Sequence, residues 1–331
     1  MRDWNLQLNR SIMSGATGVQ KVLLKIRRSV QDGNYYEAHQ MYHSVCQRLI
    51  KQKKVDDAVE LLYSGILNML EHSQTGSAID LTERLLEVYD RQHLPLTDSS
   101  RACLVDVFSA FPLDSTECEQ FSKLCSRWSA KHQESPFGDP QLQHVFGYRY
   151  FKNQKYYDAE SHFIYGNIDS SKALGYMAAE WASVDEEMDS GYPIARAVLQ
   201  LLAIGKLDDA KAALATFLKT FLESRPAIVT STQKLVGRDL PIFSSGYLNF
   251  SQLAIECIDR QAGDLFINLM SFYQALLSED GFLLQLAEMV AGAYFNTGPR
   301  KKQINPLMDM MKGLFSGPAA PQQISHISEM D

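Results

Sequence analysis

Apolar residues recur along most of the chain at three- and four-residue steps, the spacing that lines them up on one face of an α-helix. The first such run starts at Val19 and continues through Val22, Leu23, Ile26 and Val30, with Lys21, Lys25, Arg27 and Arg28 between them. Asp32-Gly33 supplies a stop, since glycine takes the left-handed backbone that closes a helix. The same rhythm predicts helices over 34–53, 55–73 and 77–91, a break at Pro95, and further helices near 98–110, 114–133, 140–153, 155–166, 170–183, 191–205 and 207–223. The connections are short, so consecutive helices must pack antiparallel.

Four of these helices open on the same kind of tetrad: Tyr35-Tyr36-Glu37-Ala38, Val55-Asp56-Asp57-Ala58, Tyr156-Tyr157-Asp158-Ala159 and Leu207-Asp208-Asp209-Ala210. Turn-forming residues lead into three of them: Asp32-Gly33-Asn34, Asn153-Gln154-Lys155 and Gly205-Lys206. An acidic side chain in the first turn suits the positive end of the helix dipole. The small alanine lets a neighbouring helix come close, and the bulky residue ahead of it fills a groove. The pattern resembles the start of the second helix in tetratricopeptide-type repeats. Its spacing is irregular, so the unit is a helix pair and not a strict copy. The fold class expected is all-α: an irregular α-solenoid of tetratricopeptide-like helix pairs.

The rhythm breaks over 224–250. Ser224-Arg225-Pro226-Ala227-Ile228-Val229-Thr230 and Leu240-Pro241-Ile242-Phe243-Ser244 are β-branched and aromatic, with Gly237 and Asp239 between them. That composition predicts a short β-hairpin, with Pro241 on an edge. Helices resume near 247–260, 263–277 and 279–295, and a short amphipathic piece runs from Leu307 to Phe315. Residues 1–16 read as a flexible N-terminus and 317–331 as a disordered tail.

Composition narrows the class. Of 331 residues, 45% are hydrophobic and 21% charged, enough apolar material for a full core. The net charge of −7 argues against a nucleic-acid binder, which carries a basic face. Cys46, Cys103, Cys118, Cys125 and Cys257 include no C-x-x-C pair, so they read as free thiols in a reducing compartment. No stretch is apolar for the roughly 18 residues a membrane span needs, and MRDWNLQLNRSIMSG lacks the apolar centre of a secretory signal. A cytoplasmic protein is expected, in which the sequon Asn249-Phe250-Ser251 goes unused.

Chemistry is hard to find in the residues. There is no Walker loop, G-x-G-x-x-G, H-E-x-x-H or G-x-S-x-G. His39 and Glu37 are two apart on a helix and do not face one another. His132, His144 and His162 stand singly and read as surface or second-layer residues. The acidic pairs Asp56-Asp57, Glu186-Glu187 and Asp208-Asp209 read as solvated helix starts or turns. No catalytic residue, cofactor or metal is expected. Two charged faces remain. Lys21, Lys25 and Arg28 share one side of the first helix, with Arg48 and Lys51 at the end of the next. Asp80, Glu83 and Glu87 share one side of the fourth. Each is either an ordinary solvated face or a docking surface for an oppositely charged partner.

The segment Gly33-Asn34-Tyr35-Tyr36-Glu37-Ala38-His39-Gln40-Met41-Tyr42 resembles the signature of the Golgi-to-ER traffic scaffold family of the tail-anchored protein insertion pathway. Further segments agree in order: Ala58-Val59-Glu60-Leu61-Leu62, Leu85-Leu86-Glu87-Val88-Tyr89-Asp90, Phe137-Gly138-Asp139-Pro140, Glu160 with His162-Phe163, and Leu307-Met308-Asp309-Met310-Met311 with Gly313-Leu314-Phe315. The resemblance implies a non-enzymatic adaptor. Residues 17–153 would bind the targeting ATPase, and residues 154–316 with their hairpin a partner with a ubiquitin-like domain that recruits a client-loaded co-chaperone. Membranes would be reached only through partners. The family's basic anchor for the ATPase then maps onto Lys21, Lys25, Arg28, His39 and Arg48, and its acidic contact onto Asp80 and Glu87. The hairpin grip maps onto Ile228, Val229, Ile242 and Phe243. Two other readings stand beside this one: a helical-repeat scaffold subunit of another multiprotein complex, and a helical enzyme with an unfamiliar site.

Overall fold

The computed structural model describes residues 17–295 apart from 133–134, 185–186, 236–237 and 280. The flexible N-terminus, the amphipathic piece Leu307–Phe315 and the tail expected from the sequence lie outside the described residues. Among the described residues eleven helices come first: α1 (Thr17–Gln31), α2 (Tyr35–Lys51), α3 (Val55–Glu71), α4 (Thr75–Arg91), α5 (Asp98–Ala110), α6 (Thr116–Ala130), α7 (Pro140–Lys152), α8 (Tyr156–Phe163), α9 (Ile168–Val184), α10 (Tyr192–Ala203) and α11 (Leu207–Ser224). A 3₁₀ turn at Pro226–Ile228 leads into strands β1 (Val229–Leu235) and β2 (Arg238–Phe243). The chain then returns to helix in α12 (Gly246–Asp259), α13 (Gly263–Phe272), α14 (Gln274–Glu279) and α15 (Gly281–Phe295).

One turn is used again and again. Gly33, Lys53, Ser73, His93, Gln154, Gly205 and Gln261 each adopt positive φ, between 53° and 81°. The next N–H reaches back to the carbonyl five residues earlier: Asn34 to Ser29, Lys54 to Leu49, Gln74 to Met69, Leu94 to Tyr89, Lys155 to Tyr150, Lys206 to Leu201 and Ala262 to Cys257. This is the Schellman closure, which satisfies carbonyls left open at a helix end. In six of the seven cases the next helix starts at once, and its fourth residue is fully buried: Ala38, Ala58, Ala78, Ala159, Ala210 and Phe266 are all 0% exposed. The tetrad alanines are therefore the points where helices meet. Thr75-Gly76-Ser77-Ala78 is a further member that its unlike first three residues conceal.

The buried side chains form one continuous cluster from Ile26 to Ala291. Phe108, Phe121, Phe146 and Tyr150 form an aromatic knot near its middle, with ring centroids 4.4–6.4 Å apart. Helices that are not sequential also meet closely: α9 lies against α11 at Gly175, where any Cβ would collide with the Ala213 carbonyl oxygen. Helices α7 and α8 pack together across residues 153–155, so the core passes without a break from the N-terminal to the C-terminal half.

The hairpin is antiparallel, with Thr232 opposite Pro241 and an irregular register between Val229 and Ser231. Asn249 of α12 bolts it down: its Oδ1 accepts from the Phe243 N–H at 2.9 Å and its Nδ2 donates to the Phe243 carbonyl at 2.8 Å. Gln252 adds a bond from its Nε2 to the Pro241 carbonyl at 2.8 Å. Thr230 through Lys234 are exposed, so β1 projects from the helical body. The helix expected over 263–277 is interrupted at Tyr273, whose ring packs edge-on against Phe250 at 5.6 Å.

Candidate functional site

The charged faces of α1, α2 and α4 come together at the N-terminal end of the array. Lys21 lies on α1, as do Lys25 and Arg28, both exposed. Lys25 pairs with Glu37 of α2 at 2.8 Å, and this hydrogen bond with its charge holds the Glu37 carboxyl below its usual range. An exposed pair of this kind contributes little to stability. Arg28 and Arg48 are exposed and in no ion pair among the described residues; they stand near the C-terminal ends of α1 and α2, where the dipoles favour positive charge.

The basic and acidic expectations meet in one place. His39 and His43 of α2 both reach the Oδ2 of Asp80 on α4, at 2.7 and 2.6 Å. His39, expected in the basic anchor, thus touches Asp80, expected in the acidic contact. Glu87 lies about two turns further along α4, bonded to Arg84 at 2.5 Å and Arg91 at 3.3 Å, so its charge is shared between two guanidinium groups. Beside these runs a groove of about 530 Å³. Its lining includes His43, Asp80, Glu83, Leu86, Trp128 and Lys131. Sequence reasoning missed His43. The signal was there, since His39 and His43 are separated by one helical turn.

At the other end, the four hairpin residues do not act alike. Ile228, Val229 and Ile242 are half-buried, whereas Phe243 is 3% exposed. Phe243 anchors the base of the hairpin in the helical core and offers no side chain to a partner. Nearby, Leu265 and Phe272 of α13 are largely exposed.

Between the two ends the titratable groups are locked into structure. Glu160 is buried against Arg196, with Oε2 accepting from Nε at 2.7 Å. His162, expected at the surface or in a second layer, lies stacked on Tyr150 at 5.5 Å, and burial pushes it down to about 4. Gln143 donates through Nε2 to the Phe137 carbonyl and Ser126, which leaves its Oε1 to accept from Nδ1 of His162 at 2.7 Å. All five cysteines are free, and burial pushes each thiol up, Cys103 to about 11. No helix among the described residues is long and apolar enough to cross a membrane.

A stack of packed helix pairs, with charged side chains on its N-terminal helices and a projecting hairpin in its C-terminal half, defines an α-solenoid. The family model described as Golgi to ER traffic protein 4 matches residues 52–315. Golgi to ER traffic protein 4 of Schizosaccharomyces pombe is 32% identical over 286 residues, covering 86% of this chain and 92% of the relative. The homolog of Homo sapiens is 28% identical over 284 residues, covering 86% and 82%. A crystal structure of C. therm. Get4 superposes with a TM-score of 0.73 at 30% identity, covering 94% of this chain and 99% of that one. The chain belongs to the Golgi to ER traffic protein 4 family, and with it to the GET pathway of protein transport and its multi-protein complex.

Proposed function

We propose that the chain is a cytoplasmic, non-enzymatic adaptor in the post-translational delivery of tail-anchored membrane proteins to the ER. Residues 17–153 bind the targeting ATPase, through Lys21, Lys25, Arg28, His39 and Arg48 as basic anchor and Asp80 and Glu87 as acidic contact. Residues 154–316 bind a partner with a ubiquitin-like domain, which recruits a co-chaperone holding the client. Ile228, Val229 and Ile242 carry the hairpin's side of that contact, on the strand framework that Phe243 holds in place. Bringing donor and acceptor onto one scaffold turns client transfer into an intramolecular step, so the gain is effective concentration and requires no catalytic group.

The observation that carries this reading is an arrangement with two distinct surfaces on one continuous core: exposed cations on the N-terminal helices, and a projecting hairpin in the C-terminal half. The test is association of the purified chain with the targeting ATPase, with and without ATP, across a salt series. Binding that weakens with salt and is lost when Lys21, Lys25 and Arg28 are reversed to Glu supports it. No binding, or binding indifferent to those reversals, overturns the anchor.

A further inference from the structure

We propose that His39, His43 and Asp80 form a site for one divalent transition-metal ion of the zinc class. The three ligand atoms lie within 4.8 Å of one another. Two histidines at i and i+4 on a helix present both imidazoles to a single ion, as in the histidine pair of H-E-x-x-H helices. The third ligand comes from α4, so the ion would clamp two helices that are neighbours in space but not in sequence. The absence of a C-x-x-C pair among the cysteines is silent on a histidine pair of this kind.

The distances favour a metal. The two Nε2 atoms are 3.3 Å apart. Ligand atoms about 2.05 Å from a tetrahedral zinc are separated by about 3.3 Å, so the imidazoles already stand at ligand spacing. The carboxylate oxygen is closer, at hydrogen-bond distance from both rings. It has to withdraw by about 0.6 Å to meet the same geometry, and its 52% exposed side chain is free to do so. Without an ion, both Nε2 atoms share one carboxylate oxygen at hydrogen-bond distance. With one, both nitrogens turn lone pairs to the metal and the ring protons sit on Nδ1. Two imidazoles and one carboxylate suit zinc, cobalt or nickel over calcium or magnesium. Three protein ligands leave a fourth position for water, and His43 and Asp80 open that position onto the groove.

The inference does not rest on the adaptor reading, because it is tested on the isolated, tag-free full chain. Zn²⁺ is titrated by calorimetry and thermal denaturation, and Co²⁺ by visible absorption. One equivalent of Zn²⁺, a raised melting temperature and a tetrahedral Co²⁺ spectrum are expected. His43→Gln and Asp80→Asn should each weaken binding by more than the ~10–100-fold that loss of an outer-shell partner brings. Should His43→Gln fail to fold by far-UV circular dichroism, Asp80→Asn on its exposed position decides. No saturable binding by the wild type, or undiminished affinity in the variants, overturns the site.

Discussion

Arg196→Met should destabilise the middle of the array more than Glu160→Gln, although the two changes break the same ion pair. The asymmetry follows from burial. The Glu160 side chain is 4% exposed and the Arg196 side chain 20%. Desolvation outweighs the attraction of Arg196, so the Glu160 carboxyl sits above its usual range even with its partner present. Removing the arginine strands a buried carboxylate, a loss of about 4 kcal/mol at neutral pH. Removing the glutamate's charge leaves Arg196 with a neutral acceptor at 160, with water, and with the faces of Tyr157 and Phe282 at 5.4 and 4.7 Å. That loss is about 1 kcal/mol, the difference between a charged and a neutral hydrogen bond. Replacing both residues by methionine removes two desolvation penalties together and should fall within about 1–2 kcal/mol of the wild type. Solenoids need not unfold in one step, so the readout is native-state hydrogen exchange of α8 and α10. The Arg196→Met loss should also shrink from pH 7 to pH 5, because the raised carboxyl pKa makes the folded form take up the proton first. Equal losses for the two single variants, or additive losses in the double, would refute the reasoning.

Two further outcomes follow from the interior and the turns. His162 has its pKa held at about 4, below the 6.5 of a free imidazole, so its stability contribution is complete above 6.5 and is lost as pH falls from there to about 4. The loss is up to about 3 kcal/mol, and the drop in melting temperature between pH 7 and pH 5 should be smaller in His162→Phe than in the wild type. Gln154 holds φ at +58°, so Gln154→Gly should stabilise the chain by about 0.5–1 kcal/mol, read as a higher melting temperature.

The helical array was legible because its signals are local. Four tetrads and two turn glycines announce the fold, and Ala38, Ala58, Ala159 and Ala210 are indeed the contact points. Four of the seven Schellman turns were hidden, because Lys53, Ser73, His93 and Gln261 take the left-handed conformation without being glycine. There the closing hydrogen bond and the packing of the next helix outweigh backbone preference. The charged faces were visible as stripes, but their joining was not. Asp80 meets His39 only because α2 and α4 flank α3, a relation between residues 41 apart that no helical period encodes. The hairpin was found from its composition. The inward turn of Phe243 was not, because it depends on Asn249 gripping that one peptide.

The recurring Schellman turn has a consequence for how the molecule comes into being. Each turn is closed by a hydrogen bond spanning only five residues, and the helix it launches docks on neighbours already made. An array built this way gains stability unit by unit. Its contacts are mostly short in sequence, which favours fast folding. The N-terminal pairs can therefore set while the hairpin is still in the ribosome, and the charged faces of α1, α2 and α4 would be in place before the other end of the protein exists.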